Sequence, residues 1–93
     1  MKIYLDMCDI HFDNDSISID IIDDYIDWYD PNEIEMEMDN TLDNIDLFQK
    51  IIFKTPFQLN INHTEDSDLS FIIDVDRVDV RITEWTIFIY ITK

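Results

Sequence analysis

Residues 19–39, IDIIDDYIDWYDPNEIEMEMD, carry nine carboxylates and no Lys or Arg. Any fold open to this chain must keep those like charges in water while burying the apolar side chains set between them, because a buried carboxylate without a partner is costly. Amphipathic strands and helices meet that demand. The imbalance extends beyond this segment: between Ile3 and Gln49 there are fifteen acids and no Lys or Arg, and the remaining residues hold seven acids and all six basic groups. The net charge of −16 favours solubility and costs stability through self-repulsion.

Ninety-three residues suit a single domain, 1–93, with one modest core, and a hydrophobic content of 46% sets the chain apart from disordered acidic sequences. Cys8 has no second cysteine to pair with, which excludes an internal disulfide and a thiolate zinc cluster and fits a reducing compartment. The first residues lack a long apolar run, and no segment approaches the roughly 18 apolar residues of a membrane span, so the expected setting is soluble and cytoplasmic. In such a setting the sequon Asn62-His63-Thr64 is read as chance. The sequence contains no glycine. That absence excludes a P-loop, a dinucleotide-binding GxGxxG, a GxSxG nucleophile elbow and an EF-hand. Turns are left to Asn and Asp.

KIYLDMC, residues 2–8, alternates as a strand does, and EIEMEMD, residues 33–39, alternates without error, with Ile34, Met36 and Met38 on one side and Glu33, Glu35, Glu37 and Asp39 on the other. Residues 16–29 are ambiguous. Ile17, Ile19 and Ile21 alternate, but the helical pattern runs further, with Ile22, Tyr25, Ile26 and Tyr29 on one face and Asp20, Asp23, Asp24 and Asp27 on the other. A helix over 16–29 is the preferred reading. A second helix is expected to about residue 54, capped by Asn40 or Thr41, burying Leu42, Ile45, Phe48 and Ile52 and stopped by Pro56. Strands are expected over 57–62, 69–75, 78–83 and 86–92, with 69–83 either one bulged strand or a hairpin. The last, WTIFIYITK, reads as a central strand covered on both faces. The fold class this predicts is α+β, a mostly antiparallel sheet with two helices packed on one side. Charged EIEMEMD would also protect a sheet edge from aggregation.

Little in the chain points to catalysis or cofactors. Asp13-Asn14-Asp15 and Asp74-Val75-Asp76 offer paired oxygen ligands but lack the rest of a calcium loop, so solvated turns are preferred and no metal is expected. His11 and His63 do not form a triad with Cys8 or a serine, and Cys8 is better explained as packing than as a nucleophile. The chain is therefore read as a non-enzyme without a cofactor. Its charge pattern is the feature that asks for a function. Asp20 to Asp24 and Asp23 to Asp27 would be like-charge pairs on a helix, each costing a few tenths of a kcal/mol. Asp27 and Asp30 would face the wrong end of that helix's dipole.

Glu33, Glu35, Glu37 and Asp39 on a strand form a line of charge roughly 20 Å long, and with the acidic stripe at Asp20, Asp23, Asp24 and Asp27 they approach the charge density of a nucleic-acid backbone, one phosphate per ~3.4 Å of each strand. In its small size, extreme acidity and the acids of residues 6–46, the chain resembles the phage-encoded DNA-mimic inhibitors, the anti-CRISPR and anti-restriction proteins, which share no common motif. The resemblance implies an inhibitor that occupies a Lys- and Arg-rich groove of a CRISPR effector or restriction nuclease in an infected bacterial cell, without binding nucleic acid itself. Trp28, between the acids, would serve as an anchor or pack in the core, while Tyr25 is read as core. The alternative is an immunity protein or antitoxin that neutralises a basic nuclease toxin. A halophilic or calcium-buffering protein with no specific partner is a third reading.

Clustered like charge should be relieved by screening, since the Debye length falls from about 10 Å at 0.1 M salt to about 3 Å at 1 M. The melting temperature is expected to rise with sodium chloride across that range. A flat or falling series in a thermal scan would mean that the acids are already paired or well separated.

Overall fold

A computed structural model describes residues 1–21, 30, 32–64 and 67–92. Among these, eight strands and one α-helix follow in the order β1 (Lys2–Tyr4), β2 (Cys8–Phe12), β3 (Ser16–Ile21), β4 (Glu33–Asp39), α1 (Leu42–Lys54), β5 (Phe57–His63), β6 (Phe71–Val75), β7 (Asp79–Ile82) and β8 (Thr86–Thr92). Single 3-10 turns occupy Leu5–Met7 and Ser67–Leu69. The strands form two four-stranded mixed sheets. One, the β4 sheet, has the order β1-β4-β8-β7, and the other, the β3 sheet, has the order β2-β3-β5-β6. β1 runs parallel to β4 and β3 parallel to β5, while every other neighbouring pair is antiparallel.

Period-two alternation decides the architecture. Ile34, Met36 and Met38 of β4 bury on the same side as Ile87, Ile89 and Ile91 of β8, and Ile17, Ile19 and Ile21 of β3 bury with Phe57, Leu59 and Ile61 of β5 and Ile73 and Val75 of β6. All belong to one apolar cluster. The two sheets thus face each other across a shared core and turn their polar residues outward.

The predicted fold of two helices on one side of a sheet is therefore wrong, and the error lies at residues 16–29. Residues 16–21 are β3, hydrogen-bonded to β2 on one side and β5 on the other. Three β-branched isoleucines at alternate positions, each at most 4% exposed, suit a pleated surface better than a helix. Residues 22–29 of that expected helix lie outside the described residues. KIYLDMC is likewise not one strand: the turn at Leu5–Met7 carries the chain from β1 in the β4 sheet to β2 in the β3 sheet. The change of parity within 69–83 marks a change of sheet, because β6 and β7 belong to different sheets. Nor is EIEMEMD an edge: β4 is paired with β1 and β8 on its two sides, so its charges do not guard an open strand. β8 is central as expected but is not covered on both faces: Ile87, Ile89 and Ile91 are buried, whereas Phe88 and Tyr90 turn outward and are half-buried.

The second predicted helix is α1. Thr41 caps it, its Oγ1 accepting from the Asn44 N–H at 3.2 Å, which satisfies one of the helix's free donors. Asn44 Nδ2 also donates to Asp6 Oδ1 at 2.8 Å and to the Asp39 carbonyl at 2.9 Å, and Lys54 Nζ donates to the Asn14 carbonyl at 3.0 Å. The helix is tied in this way to the end of β4 and to the β2–β3 turn. It buries Ile51 and packs Ile45, Leu47 and Phe48 against the core, but Leu42, expected on that face, is 86% exposed in the first turn. No described residue has a positive φ. The β7–β8 turn is closed instead by Thr83, whose N–H donates to the Thr86 carbonyl at 2.8 Å and whose Oγ1 accepts from the Thr86 N–H at 3.0 Å. None of the described helices is long and apolar enough to cross a membrane.

Ile19 and Ile89, each fully buried in an inner strand, are the positions where truncation should cost most. Ile19→Ala and Ile89→Ala are each expected to lose about 2–5 kcal/mol in urea denaturation. Leu42→Ala should stay within about 0.5 kcal/mol of wild type.

Candidate partner-binding site

The outward side of β4 presents the predicted row of carboxylates, Glu33, Glu35, Glu37 and Asp39, at every second position. Glu33 and Asp39 at the two ends are exposed, and the middle pair is partly covered. Strand pairing accounts for the difference. β1 lies beside β4 with Lys2 opposite Glu35 and Tyr4 opposite Glu37. Lys2 Nζ reaches Glu37 Oε1 at 3.0 Å and Glu35 Oε2 at 3.6 Å. The Glu37 oxygen is removed from solvent and faced by this one ammonium. On the other flank Tyr90 and Phe88 of β8 stand opposite Glu35 and Glu37, their rings parallel with centroids 6.1 Å apart. Arg81 of β7 lies over the Phe88 ring at 5.6 Å. Asp6 joins the row at its far end, where its Oδ2 accepts from the Asp39 N–H at 2.8 Å. The site is a line of acids crossed by a cation in the middle and bordered by aromatic rings.

The β3 sheet turns a different surface outward. Its four strands, CDIHF, SISIDI, FQLNINH and FIIDV, contain no Lys or Arg. Asp9 and Asp20 are direct cross-strand partners, a like-charge juxtaposition that destabilises a sheet. Asp20 is supported by its other neighbours: Asn62 Nδ2 donates to its Oδ1 at 2.9 Å, and His11 Nε2 lies 3.2 Å from its Oδ2. Ser18 and Asn60 continue this polar surface with a hydrogen bond of 3.3 Å.

The predicted acidic patch is thus divided. Asp20 belongs to the outer face of the β3 sheet and Glu33 to Asp39 to the outer face of the β4 sheet, on opposite sides of the core, so no joint stripe forms between them. Asp30 lies in the turn before β4, its Oδ1 accepting from the Asn32 N–H at 3.0 Å. Asp23, Asp24, Asp27 and Trp28 lie outside the described residues, as do Tyr25 and Tyr29. Lys2, Asp6, Tyr4, Phe88 and Tyr90 were missed as parts of the site, since only the register of β1, β4 and β8 brings them to the acidic row. Asp15, Asp74 and Asp76 border one shallow hollow with Gln58, but among the described residues no three His, Cys, Asp or Glu are placed to hold a metal ion. Cys8 Sγ donates to the Tyr4 carbonyl at 3.3 Å and is half-buried. Comparison with protein-family models, curated proteins and solved structures finds no match to this chain.

The hydrogen bond to Glu37, with the charges of Glu37 and Glu35 behind it, holds the Lys2 ammonium above the ordinary lysine range despite partial burial. A raised lysine contributes stability that is fully present below the unfolded pKa, about 10.4, and is lost as pH rises through the folded value. Lys2→Met is therefore expected to be less stable than wild type at neutral pH, by on the order of 1 kcal/mol or less. The gap should stay constant up to about pH 10 and close above it, as seen in denaturant titrations at several pH values.

Proposed function

We propose that this protein is an inhibitor that acts by charge mimicry, lodging its acidic β4 face in the Lys- and Arg-rich groove through which a bacterial defence nuclease holds nucleic acid. A CRISPR effector is the leading target. The observation that carries this reading is the row Glu33, Glu35, Glu37 and Asp39 on an inner strand, extended by Asp6 and flanked by half-buried Tyr4, Phe88 and Tyr90. Six residues of strand at ~3.4 Å each set the end carboxylates roughly 20 Å apart, a span of several phosphates along one strand of a duplex. An inner strand holds them there at fixed spacing, so the partner's Arg and Lys side chains meet a preorganised array.

The aromatic border gives the same face a second source of affinity. Tyr and Phe beside the acids supply apolar contact of the sort enriched in interface cores, whereas the charges steer approach and set partner choice. Lys2 fits this arrangement. It neutralises the middle of the row, where two adjacent carboxylates would otherwise repel, and leaves Glu33 and Asp39 free of it.

Reversal of Glu33 and Asp39 to Lys leaves the Lys2 contacts intact. This double variant should weaken association with the captured effector complex at least about tenfold at low salt, mainly by slowing it. Asp9→Lys with Asp74→Lys, on the β3 sheet, serves as the control and should have a much smaller effect. Loss of binding from the control pair alone would place the active face on the other sheet. The order of addition tests the mechanism: inhibitor added before DNA should block loading, and inhibitor and DNA bound together without loss would overturn groove occupancy.

A further inference from the structure

We infer that β7 is a self-complementary edge through which two copies of this chain join their β4 sheets into one continuous sheet. Among the described residues, the sheets end in four edge strands, β1, β7, β2 and β6. All four residues of β7, Asp79, Val80, Arg81 and Ile82, are exposed. Val80 and Ile82 pair with Ile89 and Ile87 on the core side, yet are 39% and 53% exposed, since among the described residues no strand lies along their far flank. This inference is independent of the proposed target.

Backbone geometry points the same way. The Thr83 N–H donates across to the Thr86 carbonyl, and hydrogen bonding alternates along an antiparallel pair, so Arg81 and Asp79 also direct their backbone groups at β8. Val80 and Ile82 therefore direct theirs outward. A second β7 related by a two-fold axis through Val80 would set Val80 against Val80 as a hydrogen-bonded pair on the core side. On the outer face the same register sets Asp79 opposite Arg81 of the second copy and Arg81 opposite its Asp79. A one-residue slip would put core-side residues against outer-face ones, so the pleat and the charges select the same register.

Charge singles out β7 from the other edges. β2 and β6 carry acids with no Lys or Arg, and β1 carries only Lys2, already engaged with Glu35 and Glu37. In a chain of net charge −16, β7 is the edge strand whose fixed charges of both signs can answer a copy of itself. A second copy meets complementary charge at this edge and repulsion at the acidic ones.

Sedimentation equilibrium over about 10 µM to about 1 mM chain should show a reversible monomer–dimer equilibrium, weak because a four-residue edge falls below the standard interface size. Arg81→Asp sets Asp79 against an acid at both symmetry-related pairs and should raise the dissociation constant about tenfold or more. Combining it with Asp79→Arg restores both pairs in the same register and should recover the dimer. Val80→Pro, which removes an outward N–H and none of those shared with β8, should abolish it. Circular dichroism checks that each variant is folded. A monomeric wild type throughout the range, or a dimer indifferent to the Arg81 change, overturns the inference. So does failure of the double charge swap to restore association while the protein remains folded.

Discussion

The apolar layer between the two sheets is the interaction that makes this charge density tolerable. Isoleucine at alternate positions of β3 and β8, with Met in β4 and Leu59 in β5, turns one side of each strand inward and leaves every Asp and Glu of those strands outward. Each buried side chain of this kind contributes about 1.5–3 kcal/mol relative to exposure, against a few tenths for a repulsive pair on the surface. Many small penalties are thus offset by fewer, larger gains. The division of labour also explains why the acids spread over two opposite faces: a sandwich has two outsides, and each takes its share.

Strands whose alternation is strict were legible in the sequence. EIEMEMD falls where its alternation places it, the nearly continuous apolar run from Thr86 to Thr92 is a strand as well, and Thr41 caps α1 as its residue type suggests. Residues 16–21 were misread because a single isoleucine pattern fits both periods until tertiary pairing decides, and β5, the parallel partner that decides it, begins about forty residues later. The same limit hid the Lys2 contacts. Nothing local to Lys2 says that it will lie beside Glu35 and Glu37; the parallel register of β1 on β4 says so. Of the site itself, the row on β4 could be read from sequence, whereas its cation and its aromatic border could not.

Lys2 changes what the acidic row is. Four evenly spaced carboxylates would be a uniform line of charge, but one ammonium between two of them mutes the centre, and the Met1 ammonium, donating to the Glu33 carbonyl at 2.7 Å, lies at one end. A groove complementary to it would place its cations chiefly toward the end formed by Asp39 and Asp6 and more neutral contacts in the middle, beside Tyr90 and Phe88. That arrangement is more discriminating than bulk acidity, because a partner with evenly spread positive charge would leave some of it opposite Lys2.

The glycine-free turns affect the unfolded chain as much as the folded one. Where a short hairpin commonly uses residues with positive φ, the β7–β8 connection is made by Thr83 side-chain and main-chain bonds, with Glu84 and Trp85 in ordinary conformations. A backbone without glycine samples fewer conformations before it folds, and each glycine replaced where the native geometry permits is worth about 0.4–1 kcal/mol through lost unfolded-state entropy. The disordered state of this protein is thus less favourable than length alone suggests. Restricting the conformations open to the unfolded chain offsets part of the repulsion that its carboxylates bring to the native one.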